Sequence, residues 1–294
     1  MSDYMIEISN LQIGKERKKD YKALVKGVDL RLPKGKITGI VGESGSGKSL
    51  TMKSILGILP KDLTVSYDQM DFEGQPIAVQ KRIPVAMIFQ DPMTSLNPLR
   101  KIGYHLEEVL HRFQPDLSKE QADEKILAIL ERVGITNPKA RLKQYPFEFS
   151  GGMRQRILIA MALLANPRVL IADEPTTALD VTIQAQILAL LKELQETLGL
   201  TVVIVSHDFG VIAGLCDEVK VMHQREFVEE GTVDDIFDNP LHPYTQELLT
   251  AARLENKAEL NEQADRFALV EEGFETKLIA VSPTHRVRKV VTYD

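Results

Sequence analysis

Residues Gly42 to Ser49, GESGSGKS, fit the pattern G-x-x-x-x-G-K-[ST] at every fixed position. The glycines let successive backbone N–H groups turn toward one anion. Lys48 then reaches the outer phosphates of a nucleotide, and the Ser49 hydroxyl ligates Mg²⁺. A tight glycine turn would satisfy the same letters, but an apolar run, Ile37 to Val41, precedes the loop and a helix-forming stretch, KSLTMKSILGIL, follows it. That setting selects nucleotide binding. The stretch VLIADEP places Asp173 and Glu174 at the carboxyl end of a second apolar strand, where open α/β sheets put their sites. An aspartate there holds Mg²⁺ through water and a glutamate polarises an attacking water, whereas the plain alternative is two solvated acids at a strand end. Between these motifs, FEFSGGMRQR opens a helix with Ser150, Gly151 and Gly152. Free N–H groups and the positive end of the helix dipole make it a second place for an anion.

These residues need elements to hold them. YMIEISNLQI alternates as a strand, VDLRLPKGKITGIVG reads as a strand, a turn at 33–35 and the buried strand into the loop, and IPVAMIFQ supplies a strand over 83–90. Strand, glycine loop, helix and strand in that order open a P-loop α/β domain. From Pro92 to about Pro167 the pattern turns helical. Ser118 with Gln121 forms a capping box ahead of Ile126, Leu127, Leu130 and Val133 on one helical face, and Gly134 stops that helix. A helix over about 151–164 leads into VLIADEP. The next helix is capped by Asp180, ends at Gly199 and precedes the strand TVVIVSHD. Farther on, the reading gives a helix over about 245–252, a polar exposed helix or linker in KAELNEQADRF, and two short strands in TKLIAVSPTHRVRKVVTYD.

Composition narrows the classes. The 294 residues are 44% hydrophobic and 27% charged, ordinary for a globular protein, and the formal charge of −6 argues against nucleic acid as a partner. One cysteine, Cys216, makes no internal disulfide, and no cysteine–histidine cluster has metal-ligand spacing. The start MSDYMIEISN lacks the charged and apolar regions of a signal peptide, and the longest oily run, ILIAMALLA, is half the roughly 20 residues of a membrane span. Any work at a membrane is then done through partners.

With its three motifs in this order, the chain resembles the ATP-binding subunits of ABC transporters over roughly residues 4 to 250. Ser150, Gly151 and Gly152 match the centre of the family signature L-S-G-G-Q, while Phe149 and Met153 depart from its first and last letters. The resemblance implies an ABC ATPase core with an antiparallel β subdomain, a helical subdomain over about 92–167 and a short C-terminal extension. It implies that ATP meets Gly42, Ser44, Gly45, Ser46, Gly47, Lys48, Ser49 and Thr51, with Tyr21 stacked on adenine, and that Ser49, Gln90 and Asp173 serve Mg²⁺. Catalysis falls to Glu174, Gln90 of the Q-loop and His207 of the H-loop in IVSHD, with Asp180 in the D-loop ALD. Taken alone, Gln90 reads as a strand-end polar residue, Asp180 as a helix cap, His207 as a loop histidine and Tyr21 as a strand-edge ring. In this family two subunits sandwich ATP head to tail, which explains two anion sites in one chain: Ser150, Gly151 and Gly152 serve the partner's nucleotide.

FQDPMTSLNPLRKIGYHLEE, Phe89 to Glu108, and NPLHPYTQELL, Asn239 to Leu249, are similar to the oligopeptide, dipeptide and nickel importer branch. That branch implies a domain over 1–240 and an extension over 241–294. It also implies a second ATP-binding subunit, either a different paralogous chain or another copy, two transmembrane permease subunits and, indirectly, an extracytoplasmic solute-binding protein. The place of work is the cytoplasmic face of the membrane. Many members carry a cysteine cluster for an iron–sulfur centre in the extension; here the only cysteine lies in GLCDEV, so no cluster is expected. Peptide and nickel or a metal chelate both stay open as cargo. Outside transport stand a soluble ABC ATPase of translation or DNA repair, whose usual fused cassettes or coiled coils are absent from this sequence, and a catalytically silent nucleotide sensor.

Overall fold

The computed structural model describes residues 2–17, 20–91, 95–177, 179–254 and 276–290. The chain opens with two long strands, β1 (Tyr4–Arg17) and β2 (Asp20–Pro33), followed by β3 (Ile37–Val41), α1 (Lys48–Ile55) and the short strands β4 (Thr64–Ser66), β5 (Gln69–Phe72) and β6 (Gln75–Pro76). Then come β7 (Val85–Ile88), α2 (Ile102–Phe113), α3 (Lys119–Arg132), α4 (Pro138–Arg141), α5 (Gly151–Leu164), β8 (Val169–Asp173), α6 (Val181–Leu198) and β9 (Thr201–Ser206). The last stretch holds α7 (Phe209–Leu215), β10 (Glu218–His223), β11 (Glu226–Thr232), α8 (Val233–Asp238), α9 (Pro243–Leu254), β12 (Thr276–Ala280) and β13 (Arg286–Val290). These elements form two compact units, one built from residues up to Val79 and from Val205 on, the other from Gln80 to Ile204.

The first unit contains an antiparallel sheet ordered β2-β1-β5-β6, with β4 also on β1. Alternation in β1, reset by the register shift between Ile8 and Leu11, puts Ile6, Ile8, Leu11 and Ile13 inside, and β2, shifted at the same place, answers with Val25, Val28, Leu30 and Leu32, all buried. The same unit holds the order β12-β13-β11-β10-β3, in which β3 and β10 are parallel and the remaining pairs antiparallel. Every residue of β3 is buried, as a parallel strand covered on both faces requires. β10 and β11 carry charges inward because the charges pair: Lys220 Nζ donates to Glu230 Oε2 at 2.9 Å, and Arg286 of β13 joins the same carboxylate. Burial pushes the Lys220 ammonium down to about 8.

In the second unit β8 lies between β9 and parallel β7, and β8 is buried throughout. Its helices follow their local signals. Ser118 and Gln121 form both halves of the capping box on α3, which buries Ile126 and Leu130, with Val133 just beyond it also buried and Leu127 half-buried. Asp180 Oδ1 accepts from Ile183 N at 3.0 Å to cap α6, which ends at Gly199.

Several boundaries differ from the sequence reading. β2 starts at Asp20 because its whole length pairs with β1. β7 is shorter than 83–90: Pro84 has no N–H for a ladder, and its carbonyl accepts from Arg168 N and Val169 N instead. The final helix is longer than expected, Pro243–Leu254, with the proline in its first turn. The polar stretch KAELNEQADRF lies outside the described residues. Among the described residues no helix is long and apolar enough to cross a membrane.

Candidate functional site

The first unit presents the glycine loop at the end of β3. Gly42 has φ +148°, and a Cβ there would fall 2.0 Å from the Met222 carbonyl oxygen, so β10 leaves room only for glycine. Gly42→Ala should therefore lower the melting temperature and ATP affinity together, at a cost of about 1–3 kcal/mol in stability. Thermal unfolding with and without ATP checks it; unchanged values would mean the loop has another course.

Lys48, at the first position of α1, is buried and folded back on the loop: its Nζ donates to Gly42 O at 2.6 Å and to Glu43 O at 2.7 Å. The tip is open, with Ser44 and Gly45 exposed and nothing within 4 Å of a Cβ on Gly45. Inside the turn, the Ser46 hydroxyl is buried without a hydrogen-bond partner. A buried hydroxyl left unpaired beside an ammonium in a glycine cradle is what a phosphate oxygen would satisfy. Ser49 is half-buried beside them, while the Thr51 hydroxyl is buried and donates to Gly47 O at 3.1 Å. Tyr21 is 49% exposed, its ring lying across Gly14 of β1. His207 is exposed, and the next residue, Asp208, caps α7 through Gly210 N and Val211 N.

The second unit carries the acids. Asp173 is the last, buried residue of β8, and Glu174 follows in the left-handed region at φ +49°. Such a backbone costs a non-glycine residue of order 1 kcal/mol or more and turns the side chain out of the strand direction. Glu174 Oε2 accepts from Gln90 Nε2 at 2.8 Å and from Thr177 Oγ1 at 3.0 Å. The strand-end turn thus brings Gln90 to Glu174 and adds Thr177, three residues on in the same turn, which the sequence motifs do not mark. In this unit Ser150 caps α5, its Oγ accepting from Met153 N at 3.4 Å. Gly152 is required by packing, since a Cβ there would meet Ile183 Cγ2 of α6 at 2.5 Å, and Gly151 is exposed. Asp180 is the α6 cap.

One further contact ties the loop to the far end of the chain: Glu43 N donates to the Tyr244 hydroxyl of α9 at 3.1 Å. The only sequence signal for it was the stretch NPLHPYTQELL.

Residues 25–177 match the ABC transporter family, and residues 228–273 match the family described as oligopeptide/dipeptide transporter, C-terminal region. The oligopeptide transport ATP-binding protein OppD of Bacillus subtilis is 46% identical over 258 residues, covering 84% of this chain and 71% of that protein. The dipeptide transport ATP-binding protein DppD of the same organism is 49% identical over 247 residues, covering 80% and 73%. Among solved structures, cbiO1 of Clostridium perfringens, part of the ABC transporter complex cbiONQ, superposes with a TM-score of 0.69 at 25% identity over 87% of this chain and 96% of that one. The dimeric cassette MJ0796, a bacterial ABC transporter cassette, gives 0.67 at 29% identity over 78% and 99%.

Proposed function

Because the chain belongs to the ABC transporter family and is one of its ATPases, we propose that it powers the import of oligopeptides or dipeptides from the cytoplasmic face of a membrane. The observation that carries the peptide reading is the match of residues 228–273 to the oligopeptide/dipeptide transporter C-terminal region, a segment beyond the residues 25–177 that match the ABC transporter family. The two B. subtilis relatives named above support it.

ATP is the substrate. Gly42, Ser44, Gly45, Ser46, Gly47, Lys48 and Ser49 take its phosphates, with Thr51 bracing the first turn of the helix and Tyr21 offering its half-exposed ring to the base. Glu174 polarises the attacking water, its carboxylate oriented by Gln90 and Thr177, and His207 reads the terminal phosphate. By the family pattern Ser49, Gln90 and Asp173 would hold Mg²⁺, which would supply positive charge to neutralise the phosphates.

A second ATP-binding subunit, two permease subunits and an outside solute-binding protein complete the assembly. Ser150, Gly151, Gly152 and Asp180 face the partner's ATP. Ser150→Arg should therefore stop hydrolysis at the partner's site while ATP affinity at its own loop stays within about twofold, because the bulky cation sits on the other chain's nucleotide. Mixed dimers with one altered subunit test this; loss of binding in the altered chain itself would reverse the assignment.

The function is tested by uptake of a labelled dipeptide and a labelled pentapeptide in cells deleted for this chain. Wild type should restore uptake and Glu174→Gln should not. Restored uptake of nickel with no change in peptide uptake would overturn the peptide reading.

A further inference from the structure

Tyr244 is 6% exposed and held on three sides. Its ring stacks on His223 at 3.7 Å, its N–H donates to His242 Nδ1 at 3.2 Å, and its hydroxyl accepts from Glu43 N. The segment leading to it is anchored as well. Leu241 N and His242 N donate to the fully buried Glu229 carboxylate at 2.7 and 3.0 Å, and His285 Nε2 meets the same carboxylate at 2.7 Å. A carboxylate taking three partners inside the fold leaves that segment little freedom.

The peptide unit between Gly42 and Glu43 is therefore gripped at both ends. Its carbonyl accepts from Lys48 Nζ at 2.6 Å, and its N–H donates to Tyr244 at 3.1 Å. Gly42 has the backbone freedom to let that unit turn, and Tyr244 opposes the turn. We propose that Tyr244 is a positioning residue for the ATPase reaction: through the Gly42–Glu43 peptide it sets where Lys48 presents its ammonium to the phosphates, so the C-terminal segment tunes nucleotide affinity. Burial pushes the phenol up to about 12 and lowers His223 and His242 below the usual imidazole range, so the three rings stay neutral around neutral pH.

The inference rests on Gly42–Ser49 being the phosphate cradle. Tyr244→Phe keeps the ring and its stacking and removes only the hydroxyl. ATP affinity, read by calorimetry on the full chain, should fall about three- to tenfold, the size of one lost neutral hydrogen bond, while the melting temperature without nucleotide moves by no more than about a degree. Glu43→Pro removes the N–H at a residue whose φ is not positive, and Tyr244→Phe should then add nothing further. Unchanged ATP affinity in Tyr244→Phe would overturn the inference, as would additive effects in the double variant or a fall in affinity matched by a fall in stability. If Glu43→Pro does not fold, the split between affinity and melting temperature in Tyr244→Phe decides alone. Lys48→Ala in the same assay separates the two levels. Normal ATP affinity there would sink the phosphate-cradle reading, whereas a loss there with none in Tyr244→Phe would sink only the positioning role.

Discussion

Glu174→Gln should bind ATP within about twofold of wild type and release phosphate about 10²- to 10⁴-fold more slowly, the usual worth of a positioned general base. Glutamine keeps the volume and one acceptor oxygen, so Gln90 Nε2 and Thr177 Oγ1 can still donate to position 174 and the turn at φ +49° is preserved. What is lost is the negative charge that draws a proton from the attacking water. ATP bound but not cleaved should hold two subunits together, and light scattering of Glu174→Gln on a sizing column should show the mass double on adding MgATP if the partner is a second copy. A monomer with ATP bound would assign the partner site to a different paralogous chain. Phosphate release at the wild-type rate would mean that the base lies elsewhere.

Lys48→Ala should weaken ATP about 10- to 100-fold, because hydrogen bonds to charged groups contribute about 1.5–3 kcal/mol. The ammonium already lies inside the loop on Gly42 O and Glu43 O, so nucleotide gains a charge partner that needs little reorganisation. Its removal also strands those two carbonyls beneath the loop, and the melting temperature without nucleotide should fall by a few degrees. Calorimetric titration with ATP together with thermal unfolding reads both effects. ATP affinity equal to wild type would reject the role of Lys48.

Local signals in the sequence located much of this. The capping box at Ser118 and Gln121, the caps at Ser150 and Asp180, and the glycine loop each depend on residues within a few positions of one another, and each stands where it was expected. The sequence carries little sign of strands β10 and β11, because Lys220, Glu229 and Glu230 break the apolar pattern of a buried strand. Their burial becomes intelligible only once Arg286 and His285, more than fifty residues away, are seen to pair with them. The hydrogen bond from Glu43 to Tyr244 spans 201 residues, and no periodicity or spacing rule reports such a contact. Thr177 was hidden for a different reason: a threonine in a strand-end turn has no distinctive spacing, and only the left-handed backbone at Glu174 brings the two side chains together.

The most direct measurement uses the assembled transporter, captured from membranes through this subunit, with the chemical state of its bound nucleotide read after acid quench. Incubated with MgATP, assemblies carrying wild-type chain should yield mainly ADP, and those carrying Glu174→Gln should yield uncleaved ATP at equal occupancy. ADP recovered from Glu174→Gln at the wild-type rate would contradict the account.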